Sequence, residues 1–188
     1  AIRSGKNGAP ISFPHIIGSD GAGTIVAVGR AVTHIKLGDN VCLYPVFGCG
    51  RCDFCASKRE HMCATRSVLG ERRHGTYAEY VSVPGKNCFA IPAGLSFEEA
   101  AAFPLVYVTL WRLLITQAEL RPGESLLIVG GGGIATAALL VAASLTTHVI
   151  IASCNADKLA KAKMVGAAHG INYRHTDFAK EVRGLTGK

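Results

Sequence analysis

The chain has 188 residues, of which 49% are hydrophobic and 18% charged, and its formal net charge at pH 7 is +7. This composition is typical of a folded protein with a sizeable core and excludes an intrinsically disordered chain. The positive charge makes nucleic acid a candidate partner. We expect none, because the basic residues cluster only at positions 58–73, without an aromatic-basic stripe or a recognition helix.

The chain shows no basic-apolar-small leader, so we expect no secretory signal and a cytoplasmic protein. We also expect it to be part of a longer protein. Residues 125–156 carry no Asp, Glu, Lys or Arg, but residues 130–133 and 146–148 interrupt the apolar run. A membrane helix needs about 20 uninterrupted apolar residues. The pattern therefore predicts a buried strand, a helix and a second strand, with no membrane partner.

The first half of the chain is predicted to be rich in β-strands. Residues 22–29 form a β-branched run bounded by glycines, a turn at 38–40 precedes a short strand, and a further strand at 75–84 stops at Pro84. This pattern predicts an antiparallel, barrel-like domain in which a cysteine-rich segment, residues 48–63, is inserted as a long loop.

That segment contains four cysteines with the spacing C-x2-C-x2-C-x7-C: Cys49, Cys52, Cys55 and Cys63. A disulfide framework is typical of small secreted chains, which this is not. An iron-sulfur cluster is the main alternative, but the fourth cysteine of a ferredoxin comes sooner and precedes a proline. The spacing favours zinc, and four thiolates leave no open coordination position, so the predicted zinc is structural.

The periodicity changes after the β-rich half. Ser96 and Glu99 have the spacing of a capping box that opens a helix, which Pro104 is expected to end or restart. From residue 121 the pattern alternates strand and helix, with Asn155 as a predicted cap and Gly166 as a predicted stop. This alternation predicts a parallel sheet with helices on both faces.

A glycine turn lies between the first of these strands and its helix. Gly130, Gly132 and Ala135 match G-x-G-x-x-[GA], and Gly133 and Ile134 fall at the predicted helix start. In that context the glycines permit a tight turn and close approach of a diphosphate to the helix N-terminus. We predict that these five residues bind a dinucleotide.

The next strand ends without the acidic residue that would bind the ribose hydroxyls of NAD. Ser153 stands there instead and can donate a hydrogen bond to a 2′-phosphate. Lys158 and Arg174 are close enough in sequence to add positive charge. The sequence therefore favours NADP(H) over NAD(H).

Taken together, these motifs resemble the medium-chain dehydrogenase/reductase family, which includes zinc alcohol dehydrogenases and quinone oxidoreductases. The similar stretches are FPHIIGSDGAGTIVAVG, KLGDNV, GTYAEYVSVP, AAAFPLVYVTLWRLL and INYR. The resemblance implies a truncated GroES-like barrel domain at residues 1–120 and the first half of a doubly wound Rossmann domain at 121–188. It also implies a dimer or tetramer, the four cysteines as structural zinc ligands, and Thr109 as a catalytic residue near the nicotinamide.

Two departures from the family pattern bear on the reaction. Zinc alcohol dehydrogenases have Gly-His-Glu where this chain has Gly18, Ser19 and Asp20, and a further ligand position falls on Leu105. The resemblance then implies an NAD(P)H-dependent reductase of a quinone, enone or carbonyl compound, with a structural zinc and no catalytic zinc. The alternatives are a zinc-dependent alcohol dehydrogenase with unusual ligands and a non-enzymatic module that binds nucleic acid through the zinc lobe.

Overall fold

The computed structural model of the chain describes residues 11–145 and 147–187. The chain divides into two compact units, Ala1–Leu105 and Val106–Lys188. Each unit is described by itself below.

Two small antiparallel sheets organise the first unit. β2 lies between β1 and β5 in one sheet, and β3 pairs with β4 in the other. The strands are β1 Ala22–Thr24, β2 Asn40–Leu43, β3 Val46–Phe47, β4 Ser67–Val68 and β5 Cys88–Ala90. A hydrophobic core of buried side chains joins them: Val41, Leu43, Phe47, Leu69 and Cys88.

The strands of this unit are shorter than the sequence predicts. β1 covers only the first three residues of the predicted strand at 22–29. The predicted strand at 75–84 is wrong, because its backbone bonds to a loop rather than to a sheet. The N–H groups of Gly75, Thr76 and Tyr77 donate to the carbonyls of Ile16, Gly18 and Ile17, at 2.8, 3.0 and 3.0 Å.

Two loops of the first unit pack backbone against backbone, at residues 15–20 and 69–77. A Cβ placed on Gly75 would lie 2.1 Å from the carbonyl oxygen of Gly18, and one on Gly70 would lie 2.5 Å from the same atom. Only glycine fits at either position. The hydroxyl of Thr76 reinforces the contact by donating to the carbonyl of Asp20 at 2.6 Å.

The predicted capping box is confirmed. The Ser96 N–H donates to the Glu99 carboxylate at 2.9 Å, and the Glu99 N–H donates to the Ser96 hydroxyl at 3.2 Å. The helix that follows, α2 (Phe97–Trp111), runs through Pro104 without ending, and a π-helical segment, Arg112–Gln117, continues it. A short helix, α1 (Asp53–Ala56), lies earlier in the chain.

By length and composition alone, Phe97–Gln117 would suffice to cross a membrane, with a hydropathy of 1.3 in its most apolar window. This is weak evidence for a membrane segment, since core helices of water-soluble proteins meet the same criterion. The apolar run at 125–156, by contrast, forms a strand, a helix and a strand as predicted.

The second unit contains a three-stranded parallel sheet in the order β6-β7-β8. Its strands are β6 Ser125–Val129, β7 His148–Ala152 and β8 His169–Ile171. Three helices follow the strands in alternation: α3 Gly133–Ser144, α4 Ala156–Met164 and α5 Phe178–Thr186. Asn155 caps α4 by accepting from the N–H of Lys158 at 3.0 Å, which confirms the predicted cap.

Alternate residues of β7 face opposite sides of the sheet. Val149 and Ile151 pack in a core with α3 and α4, whereas Ile150 and Ala152 pack with side chains of α5. All four are at most 2% exposed. Helices therefore cover both faces, as the doubly wound arrangement requires, and a central strand buried on both sides explains its continuous apolar run.

Replacing Gly75 with Ala should destabilise the first unit, because the new methyl group would collide with the carbonyl of Gly18. We expect a loss of about 2 kcal/mol in the free energy of unfolding, as for overpacked sites. Urea denaturation followed by circular dichroism measures this. Gly23→Ala is the matched control, since nothing lies within 4 Å of its Cβ position. Equal stability of the two variants would contradict the packing described here.

Candidate functional site

The four cysteines of the first unit converge on one point. Their sulfur atoms all lie within 4.8 Å of one another, with Cys49 and Cys55 at 3.9 Å and Cys52 and Cys55 at 3.6 Å. A tetrahedral zinc with bonds of about 2.3 Å separates its sulfur ligands by about 3.8 Å. The cluster therefore has the dimensions of a closed four-thiolate zinc site, in agreement with the sequence prediction.

Local backbone geometry brings these residues together. Gly50, with φ +78°, turns the chain between the first two cysteines, and α1 begins directly after Cys52, which places Cys55 on its first turn. The N–H of Cys49 donates to the sulfur of Cys63 at 3.4 Å, which joins the two ends of the segment. Cys63 is only 1% exposed and anchors the cluster in the unit.

The backbone also affects how readily individual thiols ionise. The N–H groups of Arg51 and Cys52 lower the pKa of Cys49 to about 6. Desolvation raises the pKa of Cys55 to about 11. A divalent cation favours all four thiolates, because metal ligation requires the deprotonated form of each.

A hydrogen-bonded bridge ties the cysteine segment to the turn before β5. The carboxylate of Glu60 accepts from the N–H of Gly48 at 3.3 Å and from the Lys86 ammonium at 2.6 Å. The Lys86 hydrogen bond is the main cause that lowers the pKa of Glu60. The buried Asn87 amide then donates to the carbonyls of Tyr44 and Val46 at 2.8 and 2.9 Å. The segment is thus fixed at its base by polar contacts.

Cys52→Ser should abolish zinc binding, because a serine hydroxyl does not replace a thiolate in this site. We expect the purified protein to contain about one zinc ion per chain by elemental analysis, and the variant essentially none. Cys154→Ser is the control, since Cys154 is exposed and lies outside the cluster. Full zinc content in Cys52→Ser would refute the assignment.

The predicted glycine turn lies where the sequence places it, between β6 and α3. Gly130 has φ +124° and donates its N–H to the carbonyl of Ala152 at 2.8 Å, which holds the turn against the end of β7. Gly132 precedes the first turn of α3, where Gly133, Ile134 and Ala135 follow. Apart from adjoining residues and the backbone of α3, no atom of the described residues lies within 4 Å of a Cβ position at Gly132 or Gly133, so a ligand can approach the backbone there.

Ser153 and Lys158 lie beside this turn, next to Gly131, a residue to which the sequence analysis assigned no role. A Cβ on Gly131 would lie 3.0 Å from Cδ of Lys158 and 3.2 Å from the Ser153 hydroxyl. The lysine stem therefore passes beside the turn. Ser153 is only 4% exposed and accepts from the N–H of Asn155 at 3.3 Å, so it lines the base of the turn rather than the open surface.

Arg174 lies at the same end of the sheet. Ala152 and Ile171 are paired in register, so the residues after β7 and β8 are neighbours. A hydrogen bond from Tyr173, together with the charges of Arg174 and Lys158, lowers the pKa of the exposed Cys154 thiol. Both cations therefore lie close enough to the carboxyl edge of the sheet to favour the thiolate of Cys154.

Thr109, predicted as a catalytic residue, is an exposed residue of α2. Ser19 lies in the first unit, where its hydroxyl donates to the carbonyl of Leu69 at 2.7 Å. Among the residues described, only the four cysteines form a group of three or more His, Cys, Asp or Glu side chains with ligand atoms close enough to share an ion. No such group includes Asp20.

Comparison with known proteins agrees with both units. The alcohol dehydrogenase GroES-like domain matches residues 1–93. An alcohol dehydrogenase of Geobacillus stearothermophilus is 36% identical over 93% of this chain and 52% of its own, and the sorbitol dehydrogenase of Bacillus subtilis is 33% identical over 94% and 50%. A crystal structure of an NAD-dependent alcohol dehydrogenase superposes with a TM-score of 0.87 at 43% identity, over 94% of this chain and 52% of that one.

The chain belongs to the medium-chain dehydrogenase/reductase family. It spans about half the length of the curated relatives it matches. Its fold is a GroES-like domain followed by a partial parallel sheet of the Rossmann type, as the sequence predicts. The family includes zinc-containing enzymes, and the cysteine cluster of this dehydrogenase/reductase chain has the ligands and spacing of a structural zinc site.

Proposed function

We propose that this protein is an NAD(P)(H)-dependent oxidoreductase that transfers hydride between a nicotinamide cofactor and a small molecule. The observation that carries the proposal is the glycine turn between β6 and α3, with Lys158 lying beside it. Family membership supports the same activity. We assign the nucleotide-binding role to residues 121–188 and the remaining catalytic framework, with the zinc lobe at 48–63, to residues 1–120.

The turn provides the features that a dinucleotide requires. The first N–H groups of α3, at Gly133, Ile134 and Ala135, have no partner within their own helix and can donate to a diphosphate, which the helix dipole also attracts. The open backbone at Gly132 lets the diphosphate approach. Lys158 then supplies a positive charge beside the same turn. A bound nicotinamide cofactor would supply the hydride.

We further propose that the cofactor is NADP(H). The support is the absence of an acidic residue after β7 and the joint action of Lys158 and Arg174 at this edge. A 2′-phosphate carries up to two negative charges and is attracted to such a pair. Because Ser153 is buried at the base of the turn, we assign the charge recognition to the two cations and only a supporting hydrogen bond to the serine.

Arg174→Gln should weaken binding of adenosine 2′,5′-bisphosphate by about tenfold, the usual size of one charge-assisted hydrogen bond. Binding of 5′-ADP, which lacks the 2′-phosphate, should change little. Isothermal titration calorimetry measures both. Lys161→Gln is the control, because Lys161 is an exposed residue of α4 that is not among the charges acting on Cys154. Equal affinity of the unsubstituted protein for the two nucleotides would contradict the NADP(H) preference.

The zinc held by Cys49, Cys52, Cys55 and Cys63 has a structural role in this proposal. Four thiolates fill a tetrahedral ion, so it has no position for a substrate oxygen. What it would contribute is the folded shape of a segment with little apolar surface of its own, in which α1 buries no residue.

Two substrate classes have support from different observations. The family relatives are named for alcohols and polyols, which favours an alcohol or carbonyl substrate for this protein too. The positions that hold catalytic zinc ligands in zinc alcohol dehydrogenases carry Ser19, whose hydroxyl is bonded to Leu69, and the apolar Leu105. This favours metal-independent reduction of a quinone or enone, since conjugation spreads the developing negative charge.

Zinc content and activity together decide between these classes. If the reduction is metal-independent, the protein with one zinc per chain should reduce naphthoquinone or a simple enone with NADPH. A weak chelator should not lower that rate. Two zinc ions per chain, and alcohol oxidation that a weak chelator abolishes, would establish the zinc alcohol dehydrogenase instead.

We place Thr109 near the nicotinamide because it matches a family threonine, and we expect a cytoplasmic dimer or tetramer acting on a small molecule. We expect no partnership with membranes or with nucleic acid. The basic segment at 58–73 is the observation that supports the alternative function, a nucleic-acid-binding module. Binding to duplex DNA that weakens steeply with increasing salt concentration would support that alternative. Absence of such binding would exclude the nucleic-acid-binding module and favour the oxidoreductase.

A further inference from the structure

A groove of ≈ 470 Å³ lies within the first unit, and none of the described residues that line it belongs to the cysteine cluster. Its apolar lining residues are Ile16, Leu69 and Val81. Leu69 is 2% exposed and belongs to the core of the unit, so its position in the lining is fixed by packing. Grooves of this size accommodate small ligands.

The polar side of the groove consists of hydrogen-bond donors. Arg73, His74, Tyr80 and Ser82 line it, and the described lining residues include neither aspartate nor glutamate. Arg73 is always charged and donates only. A groove with one permanent cation, several neutral donors and no carboxylate selects a ligand that carries negative charge.

A backbone hydrogen bond selects the tautomer of the neutral His74 ring. The backbone N–H of Ile16 donates to Nδ1 of His74 at 3.2 Å, so the neutral ring carries its proton on Nε2. That N–H is then available to donate to a ligand. The His15 ring lies 5.5 Å from the His74 ring, and its own Nε2 is bonded to the carbonyl of Gly70 at 3.0 Å.

Arg73 is also held in place before any ligand arrives. Its guanidinium lies over the ring of Phe47, 5.0 Å from the centroid, and its carbonyl accepts from the N–H of Gly70 at 2.9 Å. This cation–π contact does not use the N–H donors of the guanidinium, whose fork geometry matches a carboxylate.

We propose that this groove binds a small aliphatic carboxylate. The carboxylate of the ligand accepts hydrogen bonds from the guanidinium of Arg73 and from Nε2–H of His74. Its short hydrocarbon chain packs on Leu69 and Val81. A planar, singly charged carboxylate matches the single guanidinium. Burial of its hydrocarbon chain against the apolar lining residues strengthens binding, and inorganic anions have no such chain. The proposal does not depend on the proposed hydride transfer, and every described lining residue belongs to the first unit.

Titration of the protein with isobutyrate, followed by NMR of the His74 ring and the amides of Val81 and Ser82, tests the proposal. We expect saturable shifts at these groups. Isobutyramide, which has the same shape without the charge, should bind at least about tenfold more weakly. Arg73→Gln should weaken the binding of isobutyrate to a similar extent. Arg72→Gln is the matched control, because that neighbouring arginine does not line the groove, and should leave the affinity unchanged.

A second variant tests the proposal even if Arg73→Gln fails to fold. Val81→Trp fills the groove from its apolar side and should abolish the shifts, while zinc content confirms that the unit is intact. Three outcomes would overturn the proposal: no shifts with isobutyrate, equal binding of isobutyramide, or inorganic phosphate binding as tightly as isobutyrate. The last would show a general anion site with no use for the hydrocarbon chain.

Discussion

The backbone contact between residues 15–20 and 69–77 determines where the polar side chains of these two loops lie in the first unit. Gly70 and Gly75 lie so close to Gly18 that no side chain fits at either position. That approach lets the Ser19 hydroxyl reach the carbonyl of Leu69, and it sets His74 against the N–H of Ile16. The groove exists because these two loops are joined without intervening side chains.

The cysteine lobe is built on the same framework. Leu69 donates its N–H to the carbonyl of Pro45 at 3.0 Å, and β3 pairs with β4 on either side of the lobe. Its helix α1 buries no residue, so a metal ion, with the Glu60 bridge, would take the place that a hydrophobic core has elsewhere. In the second unit a central strand buried on both faces, β7, has the organising role. It brings the ends of β7 and β8 together with the glycine turn.

Local signals were the ones that the sequence predicted well. The capping box of Ser96 and Glu99, the Asn155 cap and the strand–turn–helix at Gly130 each depend on a few adjacent residues, and all three are confirmed. The strand predicted at 75–84 was wrong, and its first three residues form backbone bonds with a loop almost sixty residues earlier in the chain, at 16–18. Gly131 was missed because its neighbours Ser153 and Lys158 are more than twenty residues away in sequence.

By itself, the sequence determined the alternation of strands and helices in the second unit, the four thiolates and the glycine turn, because spacing and periodicity encode short-range geometry. It also determined the absence of an acidic residue after β7. Only the tertiary structure decided that Ser153 lies buried at the base of the turn, that the Ser19 hydroxyl is bonded to Leu69, and that Arg73 and His74 share a groove with Val81. These are contacts between segments far apart in the chain, set by how loops and sheets pack, and no local pattern specifies them.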